Sequence, residues 1–291
     1  MEQPWVSVII PTFNRHAMVS ELIESLNRQT YRRLHIILVN DAGLPLNFIS
    51  EDYPELDITL VDLETNLKHV HARNRGLELV QDDYIMLCDD DDLLLPTHVE
   101  TMMRAIADAD LVYSDVEIFD YVLEGATRRA TKRFVFAYDS DLAAMRRFST
   151  FVASGCLFRK EILEKLIRFD ADMHHYWDWD FYLRAAEHYR VKRVPVASAL
   201  YAFSEQGDNM SGSHEDMRPY LDRLSAKHGL GELPTKNFFV LLEEPEVQQR
   251  KAATEVLWDG APIVSRYALS AGKGKAEEEE AGARGRSGEP L

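Results

Sequence analysis

The chain has 291 residues, of which 46% are hydrophobic and 28% are charged, a composition that excludes a fibrous or wholly disordered protein. Its 49 acidic residues outnumber its 33 basic ones, and the formal net charge of −16 disfavours binding to nucleic acid. No apolar run approaches the roughly 18 residues of a membrane span, and the first residues lack the basic start of a signal peptide, so we expect no transmembrane segment.

The two cysteines, Cys88 and Cys156, do not form a C-x-x-C pair. A cytoplasmic location is the simplest expectation for a chain with so few cysteines. Peripheral contact with the inner face of a membrane is left open.

The first 118 residues alternate between strand patterns and helix patterns. Short apolar runs predict strands at 6–10, 34–39, 58–63, 84–88 and 111–113. Helical spacing of apolar residues predicts helices at 18–26 and 70–80 and a third one that starts at Pro96. This alternation predicts an α/β fold with a Rossmann-like, mostly parallel sheet that is covered by helices on both faces.

The pattern changes in residues 119–230. Residues 120–147 are mixed and carry a basic stretch at Arg128, Arg129, Lys132 and Arg133, which is either a mobile flap or a solvated loop. Further along we predict a strand at 154–158, helices at 160–167, 179–189 and 215–228, and one or two short strands at 191–201 that Pro195 breaks. We therefore divide the chain into a first half (1–118), a second half (119–230), an extension (231–270) that the pattern does not place, and a disordered tail (271–291).

Four consecutive aspartates, Asp89 to Asp92, follow the predicted strand at 84–88. Ligands of open α/β sheets bind at the carboxyl ends of the strands, and carboxylates suit Mg²⁺ or Mn²⁺. Because four adjacent carboxylates repel, some must be protonated or share a cation. Strand alternation predicts that Asp89 and Asp91 share a face and that Asp90 lies on the other. The alternative is a solvated acidic turn that caps the next helix, but the buried strand before the cluster favours a ligand or metal site.

Other polar residues follow the first two strands. Asp41 could bind a base or ribose edge, or it could be an ordinary turn residue. Thr12 and Asn14 come directly after the first strand. Arg73, near a helix start, could reach a phosphate or a base, or it could form an ion pair on the helix surface.

Six stretches in order, within residues 5–213, resemble the motifs of glycosyltransferase family 2, which has the GT-A fold. They are VSVIIPTFNR at 6–15, VNDAG at 39–43, ARNRG at 72–76, LCDDDD at 87–92, GCLFRK at 155–160 and WDWD at 177–180. The resemblance implies a nucleotide-sugar donor, a DxD motif in which Asp89 and Asp91 hold Mn²⁺ or Mg²⁺, and Asp178 as the catalytic base. It also implies that the donor is bound by Pro11, Thr12, Asn14, Asp41, Arg73, Asp89 and Asp90.

The sequence departs from the family pattern at three places. Asn40-Asp41-Ala42-Gly43 stands where the family usually has Asp-Asp-Gly-Ser, so the shape of that loop changes while Asp41 is kept. Lys68 stands at a common glycine. Trp177-Asp178 replaces a usual Glu-Asp pair, which leaves the base in place and changes its neighbour.

Two aspartates compete for the role of base. Asp178 is expected just before a helix and beside Trp177, where a partly apolar setting would raise its pKa; the alternative is a helix N-cap. Asp180 has Arg184 four residues later, which predicts an ion pair on the helix surface. We expect Trp179 to lie on the core face of this helix, and Trp177, off that face, to contact sugar.

These features together predict a metal-dependent, inverting glycosyltransferase. It would move a sugar from a nucleotide-sugar, expected to be a UDP-sugar, to the hydroxyl of a carbohydrate, lipid-linked or other acceptor in polysaccharide, glycolipid or glycoconjugate synthesis. One alternative is a sugar-phosphate nucleotidyltransferase, which would need a glycine-rich phosphate loop where this chain has Pro11 to Arg15. The other is a non-catalytic module that binds cations or carbohydrate.

Overall fold

The computed structural model describes residues 3–166, 168–203, 214–235 and 238–272. Its strands are β1 (Val6–Thr12), β2 (Leu34–Asn40), β3 (Asp57–Asp62), β4 (Tyr84–Leu87), β5 (Leu93–Leu94), β6 (Leu111–Glu124), β7 (Thr127–Phe136), β8 (Leu157–Arg159), β9 (Val191–Ala202) and β10 (Glu255–Val256). Its helices are α1 (His16–Asn27), α2 (Asn47–Asp52), α3 (His69–Leu77), α4 (His98–Ala105), α5 (Leu142–Met145), α6 (Glu161–Leu166), α7 (Trp177–Ala186), α8 (His214–His228), α9 (Phe238–Leu242) and α10 (Pro245–Gln248).

The described strands form one mixed sheet in the order β10-β9-β6-β8-β4-β1-β2-β3, with β5 against β9 and β7 against β6. The pairs β1–β2, β1–β4, β2–β3, β6–β9 and β9–β10 are parallel. The short strand β8 runs antiparallel between β4 and β6. The predicted α/β class and largely parallel sheet are therefore confirmed.

Helices cover both faces of this sheet. Val8 and Ile10 of β1 pack with α1 and α4 on one face, and Ile9 packs with α3 and α7 on the other. A strand that is buried on both faces reads as the continuous apolar run seen in the sequence. Gly76 permits the close packing of α3, because a Cβ at this position would lie 2.7 Å from Cγ2 of Ile9.

Strand β1 continues through Pro11 to Thr12, although the sequence predicted that it stops at residue 10. Pro11 pairs in register with Val39 of β2. The carbonyl of Thr12 accepts from the N–H of Asp41, on the side of β2. The backbone groups of Pro11 therefore point to the opposite side, towards β4, and the pairing of β1 with β4 has already ended at Ile9. The N–H that proline lacks therefore has no strand partner to lose.

The mixed region after residue 118 is a long hairpin of β6 and β7, which turns at Gly125 with a φ of 66°. The predicted flap or solvated loop is therefore wrong, because the basic stretch lies in strand β7. Arg128 is 4% exposed, and its Nε donates to Glu21 at 2.5 Å. Arg133 pairs with Glu117 at 3.3 Å.

Pro195 does not break β9, which is continuous from Val191 to Ala202. The register between β6 and β9 shifts at this point, so that Ser114 pairs with Val194 and Asp115 with Ala197. This bulge leaves Pro195 out of the ladder, and a proline is tolerated there because its missing N–H is not needed.

The extension at 231–270 packs against the main sheet. β10 lies beside β9, and Trp258 and Ile263 join an apolar cluster with Leu93 and Phe119. Arg266 then pairs with Glu55. The predicted disordered tail, 271–291, lies outside the described residues from residue 273 onward. Within the described part of the chain, no helix combines the length and the apolar character that crossing a bilayer requires.

Candidate active site

A cavity of about 630 Å³ opens at the carboxyl ends of β1, β2 and β4. The structure brings eight of the sequence-predicted site residues to its wall: Pro11, Thr12, Asp41, Arg73, Asp89, Asp90, Asp91 and Asp178. Asn14, the ninth, is absent from the wall. Its Oδ1 instead accepts from the backbone N–H of Leu44 at 2.8 Å, and its φ of 56° helps to turn the chain after β1.

The four aspartates after β4 occupy different environments. The Asp89 and Asp91 side chains are 33% and 24% exposed, whereas that of Asp90 is 8% exposed. The expected strand alternation does not cause this difference, because β4 ends at Leu87 and the aspartates form a turn in which the N–H of Asp92 donates to the carbonyl of Asp89. Asp92 is buried and accepts from the backbone N–H of Ala202 at 3.0 Å, and burial together with Asp91 raises its pKa well above the usual range. Burial therefore disfavours the charged form of Asp92, which reduces the repulsion within the cluster.

Arginines balance the remaining charge. Arg15 Nη1 donates to Asp90 at 3.0 Å and to Asp91 at 2.7 Å. Burial, followed by the charge of Asp91, raises the pKa of Asp90 to about 6 in spite of Arg15 and of the Thr12 hydroxyl, which donates to Asp90 at 2.6 Å. The sequence analysis missed Arg15, although this residue ends the first of the six motifs.

The donor set at this position fits a divalent cation. Asp89 and Asp91 offer hard oxygen ligands at the cavity wall, and such ions are commonly held by one or two carboxylates plus substrate phosphates. Among residues 3–166, 168–203, 214–235 and 238–272, no three His, Cys, Asp or Glu side chains are arranged to hold a metal by themselves. The phosphates of a donor would therefore have to supply the other ligands.

The guanidinium group of Arg73 forms an ion pair with the carboxylate of Asp89. The guanidinium lies 4.0 Å from the ring centroid of Trp177 and donates to Nδ1 of His69 at 2.5 Å. Its side chain is 3% exposed, so the alternative of a surface ion pair is wrong. Burial, followed by the charge of Arg73, lowers the pKa of His69 to about 2 and keeps this imidazole neutral.

Trp177 is largely buried but lines the cavity next to Asp178. It is 7% exposed and contacts Arg73 and the Phe169 ring, whose centroid is 5.2 Å away. The contact between Trp177 and a sugar stays a prediction. Trp179 is buried, as expected, and donates from Nε1 to the carbonyl of Met145 at 2.8 Å.

Asp178 lies in the first turn of α7, not before it. The residue that precedes the helix is Tyr176, with a φ of 60°, so the N-cap alternative for Asp178 is wrong. Burial, with a further contribution from the negative charge of Asp89, raises the pKa of Asp178 to about 6. A carboxylate with such a pKa is largely ionised at neutral pH and is a stronger base than an ordinary aspartate.

Asp180 has the opposite environment two residues later. Its side chain is 0% exposed and accepts from Arg184 at 2.8 Å, Lys227 at 2.7 Å and His228 at 2.8 Å. Burial alone would raise its pKa, but the hydrogen bond from His228 and the charges of Arg184 and Lys227 prevail and lower it to about 2. The predicted ion pair with Arg184 is present, but its expected position on the surface is wrong, because α8 covers it.

Asp41 supports the loop that leads into α3. Its two carboxylate oxygens accept from the backbone N–H groups of Leu67 at 2.7 Å and Lys68 at 2.9 Å. Lys68 has a φ of 73°, a left-handed conformation that explains why the family commonly has glycine here. The contact between Asp41 and a base stays a prediction.

The far wall of the cavity is apolar, which the sequence analysis did not anticipate. Its members come from β6, β7, the segment before β8, the residue that follows β9, and α9: Ile118, Phe136, Phe148, Val152, Phe203, Phe238 and Leu241. We call this set the apolar wall. No local pattern marks these residues, because they are spread over more than 120 positions and meet only in the folded chain.

Comparisons with known proteins agree with this geometry. Residues 7–167 match the family described as Glycosyl transferase family 2. The chain is 53% identical over 262 residues to the uncharacterised glycosyltransferase YwdF of Bacillus subtilis (strain 168), covering 90% of this chain and 98% of that protein. It is 28% identical to the amylovoran biosynthesis glycosyltransferase AmsB of Erwinia amylovora, covering 75% and 79% of the two chains.

Two solved structures share the fold. S. aureus TarS in complex with UDP-GlcNAc superposes with a TM-score of 0.61 at 18% identity, over 77% of this chain and 66% of that one. The mannosyltransferase PcManGT from Pyrobaculum calidifontis, in complex with GDP-Man and Mn²⁺, superposes with a TM-score of 0.59 at 20% identity, over 80% and 67%. At these identities the likeness establishes the GT-A type of fold.

Proposed function

The chain belongs to glycosyltransferase family 2, and we propose that it is a metal-dependent, inverting enzyme that moves a sugar from a UDP-sugar to an acceptor hydroxyl. One observation carries the proposal. A carboxylate with a pKa raised to about 6, Asp178, shares a cavity with the acidic cluster at the end of β4. This arrangement supplies a base for the acceptor and a site for the donor diphosphate in one enclosed volume.

Asp178 is the proposed general base. An acceptor hydroxyl is a weak nucleophile, and a carboxylate that removes its proton during attack accelerates transfer. Asp180 is unsuited to this task, because the hydrogen bond from His228 and the charges of Arg184 and Lys227 stabilise its ionised form and lower its pKa. A single base that acts on the acceptor, opposite the leaving diphosphate, corresponds to one displacement and hence to inversion at the anomeric carbon.

Asp89 and Asp91 are the proposed ligands of Mn²⁺ or Mg²⁺. When bound there, the cation would neutralise the charge that develops on the departing diphosphate. Arg73 holds Asp89 in place by an ion pair, and Arg15 does the same for Asp91. The two arginines also offset the acidic charge of this wall, which would otherwise repel the phosphates of the donor.

Asp41, Pro11 and Thr12 form the proposed nucleotide end of the donor site. Thr12 orients Asp90, and Asp41 fixes the loop that carries Leu67 and Lys68. The choice of uridine is supported by TarS, which has been solved with UDP-GlcNAc and with UDP. PcManGT was solved with GDP-Man, so a purine donor is the competing outcome.

A donor panel tests the proposal directly. UDP-, GDP- and dTDP-sugars would be incubated with the protein and Mn²⁺, and the released nucleoside diphosphate would be measured. We expect release from UDP-sugars and its loss with excess chelator. Release from GDP-sugars alone would overturn the choice of base, and full activity in chelator would overturn the metal requirement. Conversion of an NDP-sugar and added pyrophosphate to nucleoside triphosphate and sugar 1-phosphate would indicate a nucleotidyltransferase, and binding of donor or sugar without release would indicate a non-catalytic module.

A further inference from the structure

The apolar wall begins beside the proposed base. It lines the same cavity as Asp178 and the acidic cluster, and two of the strands that contribute to it or precede it, β6 and β9, are separated from β1 and β2 by β4 and β8 in the sheet. A molecule that fills this cavity and reaches Asp178 also contacts the wall. Its occupant is therefore part of the acceptor rather than a separate partner.

The side chains of the wall cannot satisfy a glycan. Phenylalanine, isoleucine, valine and leucine offer no hydrogen bonds, and sugar hydroxyls that leave water without new partners cost free energy. Arg147, Ser149 and Thr235 are polar members of the lining near this side, but Arg147 is 72% exposed and paired with Glu246 at 3.0 Å. A hydrocarbon chain, in contrast, gains free energy from every methylene that it buries here.

The aromatic rings of the wall contact further rings that lie closer to the protein surface. Phe238 lies 5.8 Å from Phe136 and 5.9 Å from Phe203, measured between ring centroids. Phe239, the next residue in α9, contacts Phe203 at 5.2 Å and is 37% exposed. Phe134 of β7 lies 6.2 Å from Phe239 and is 36% exposed. The apolar wall is thus packed against rings that are partly exposed, so its apolar surface extends from the cavity towards the outside of the molecule.

From the apolar lining of this shared cavity we propose that the acceptor is lipid-linked: its hydroxyl-bearing group reaches Asp178 while an attached hydrocarbon chain lies along the apolar wall. The inference rests on the proposed glycosyl transfer and names its acceptor class. A second copy of the chain or a folded partner does not fit, because the wall lines the same cavity as the reacting groups. A thin and flexible hydrocarbon chain can lie along such a wall.

Alkyl glycosides of one sugar but of different chain length test this inference. Binding of methyl, octyl and dodecyl β-glucosides, below the concentrations at which they form micelles, would be measured by calorimetry in the presence of UDP and Mn²⁺. A fully buried methylene corresponds to about fourfold in affinity, so even partial burial predicts that octyl binds roughly 100-fold more tightly than methyl. Equal affinity along the series would overturn the proposal.

Substitutions in α9 test whether the alkyl chain binds along the apolar wall. Leu241→Ala and Phe238→Ala should weaken octyl glucoside binding about tenfold. Val240→Ala is the matched control, because Val240 lies in the same helix, is 53% exposed and is not part of the cavity lining. Equal effects of Leu241→Ala and Val240→Ala would contradict binding along the wall. Melting temperatures identify a variant that merely unfolds, and the chain-length series with the unmodified protein needs no variant.

The experiments distinguish failure of the proposed glycosyl transfer from failure of the acceptor inference. If UDP-sugars are turned over but affinity is independent of chain length, the acceptor inference is wrong and the proposed function stands. If no donor is turned over but affinity rises with chain length, the proposed transfer is wrong while the apolar wall still binds hydrocarbon.

Discussion

The two sides of the cavity differ in chemistry and in how the chain builds them. The proposed donor side consists of aspartates and arginines that follow the adjacent strands β1, β2 and β4 or lie in α3, all within the first 92 residues. The proposed acceptor side is the apolar wall, which is drawn from elements between β6 and α9. The charged side is built from compact motifs that the sequence displays. The apolar side is built from dispersed residues that only folding brings together.

Asp178 links the two sides, and replacing it should have the largest effect on turnover. Asp178→Asn removes the base while it keeps the size of the side chain, so we expect turnover to fall at least ~100-fold. UDP binding should be unchanged, because the donor side is intact. The melting temperature should not fall, since burial already disfavours the charged form of Asp178. Single-turnover kinetics, calorimetry and thermal unfolding measure the three quantities, and normal turnover would refute the role.

Asp180→Asn is the contrasting change on the same helix. It leaves Arg184, Lys227 and His228 without their carboxylate, and breaking a buried ion pair typically costs about 3–5 kcal/mol. We expect a clear drop in the midpoint of urea denaturation, with turnover per folded molecule largely retained. A fully stable Asp180→Asn protein without turnover would exchange the roles of the two aspartates.

Asp91→Asn should weaken binding of the donor nucleotide without affecting binding along the apolar wall. With one carboxylate ligand lost, we expect the Mn²⁺-dependent part of UDP affinity to fall about tenfold or more. Affinity for alkyl glucosides should stay within twofold, because the apolar wall is unchanged. Calorimetry with UDP, with and without Mn²⁺, measures the first quantity. Unaltered enhancement of UDP binding by Mn²⁺ would exclude Asp91 as a ligand.

The pH dependence gives the smallest of these effects and separates activity from stability. Asp178 must be ionised to act as a base, and its pKa is raised to about 6, so kcat/KM should fall about tenfold per pH unit below that value. Asp90, whose pKa is also raised to about 6, steepens the fall if its ionised form is required. A flat profile from pH 7 to pH 5 would argue against an aspartate base with a raised pKa.

Stability should behave differently over the same range. A carboxyl group whose pKa is raised by folding binds its proton more tightly in the folded state, so Asp178 and Asp90 contribute stability as pH falls from about 6 towards their unfolded values near 3.8. Asp180, with its pKa lowered to about 2, contributes stability above pH 3.8 that is lost only as pH falls towards 2. These three carboxyl groups predict no loss of stability between pH 7 and pH 5. His69 acts in the opposite direction, because its pKa is lowered to about 2 and the unfolded state binds a proton that the folded state does not. Urea denaturation at pH 7 and pH 5 measures the balance of these contributions.

Much of the fold and of the donor side could be predicted from the sequence. Parallel strands buried on both faces read as unbroken apolar runs, so β1, β2 and β4 were evident, and the polar residues behind them marked one edge of the sheet. That edge is where Thr12, Asp41 and Asp89 lie. The hairpin β6–β7 was missed, because its strands carry charged residues that resemble a loop locally while pairing elsewhere in the fold.

Tertiary structure alone decided the properties of the individual side chains. Asp178 and Asp180 are two residues apart, yet burial near Asp89 raises the pKa of one while His228, 48 residues along the chain from Asp180, helps to lower that of the other. Arg73 likewise pairs with Asp89 instead of facing solvent, because the folded chain buries its side chain beside that carboxylate. The sequence by itself determined the strands, the edge at which they end and the acidic cluster, because these depend on local periodicity. Charge pairing, pKa values and the apolar wall depend on contacts between distant residues, which only the folded chain creates.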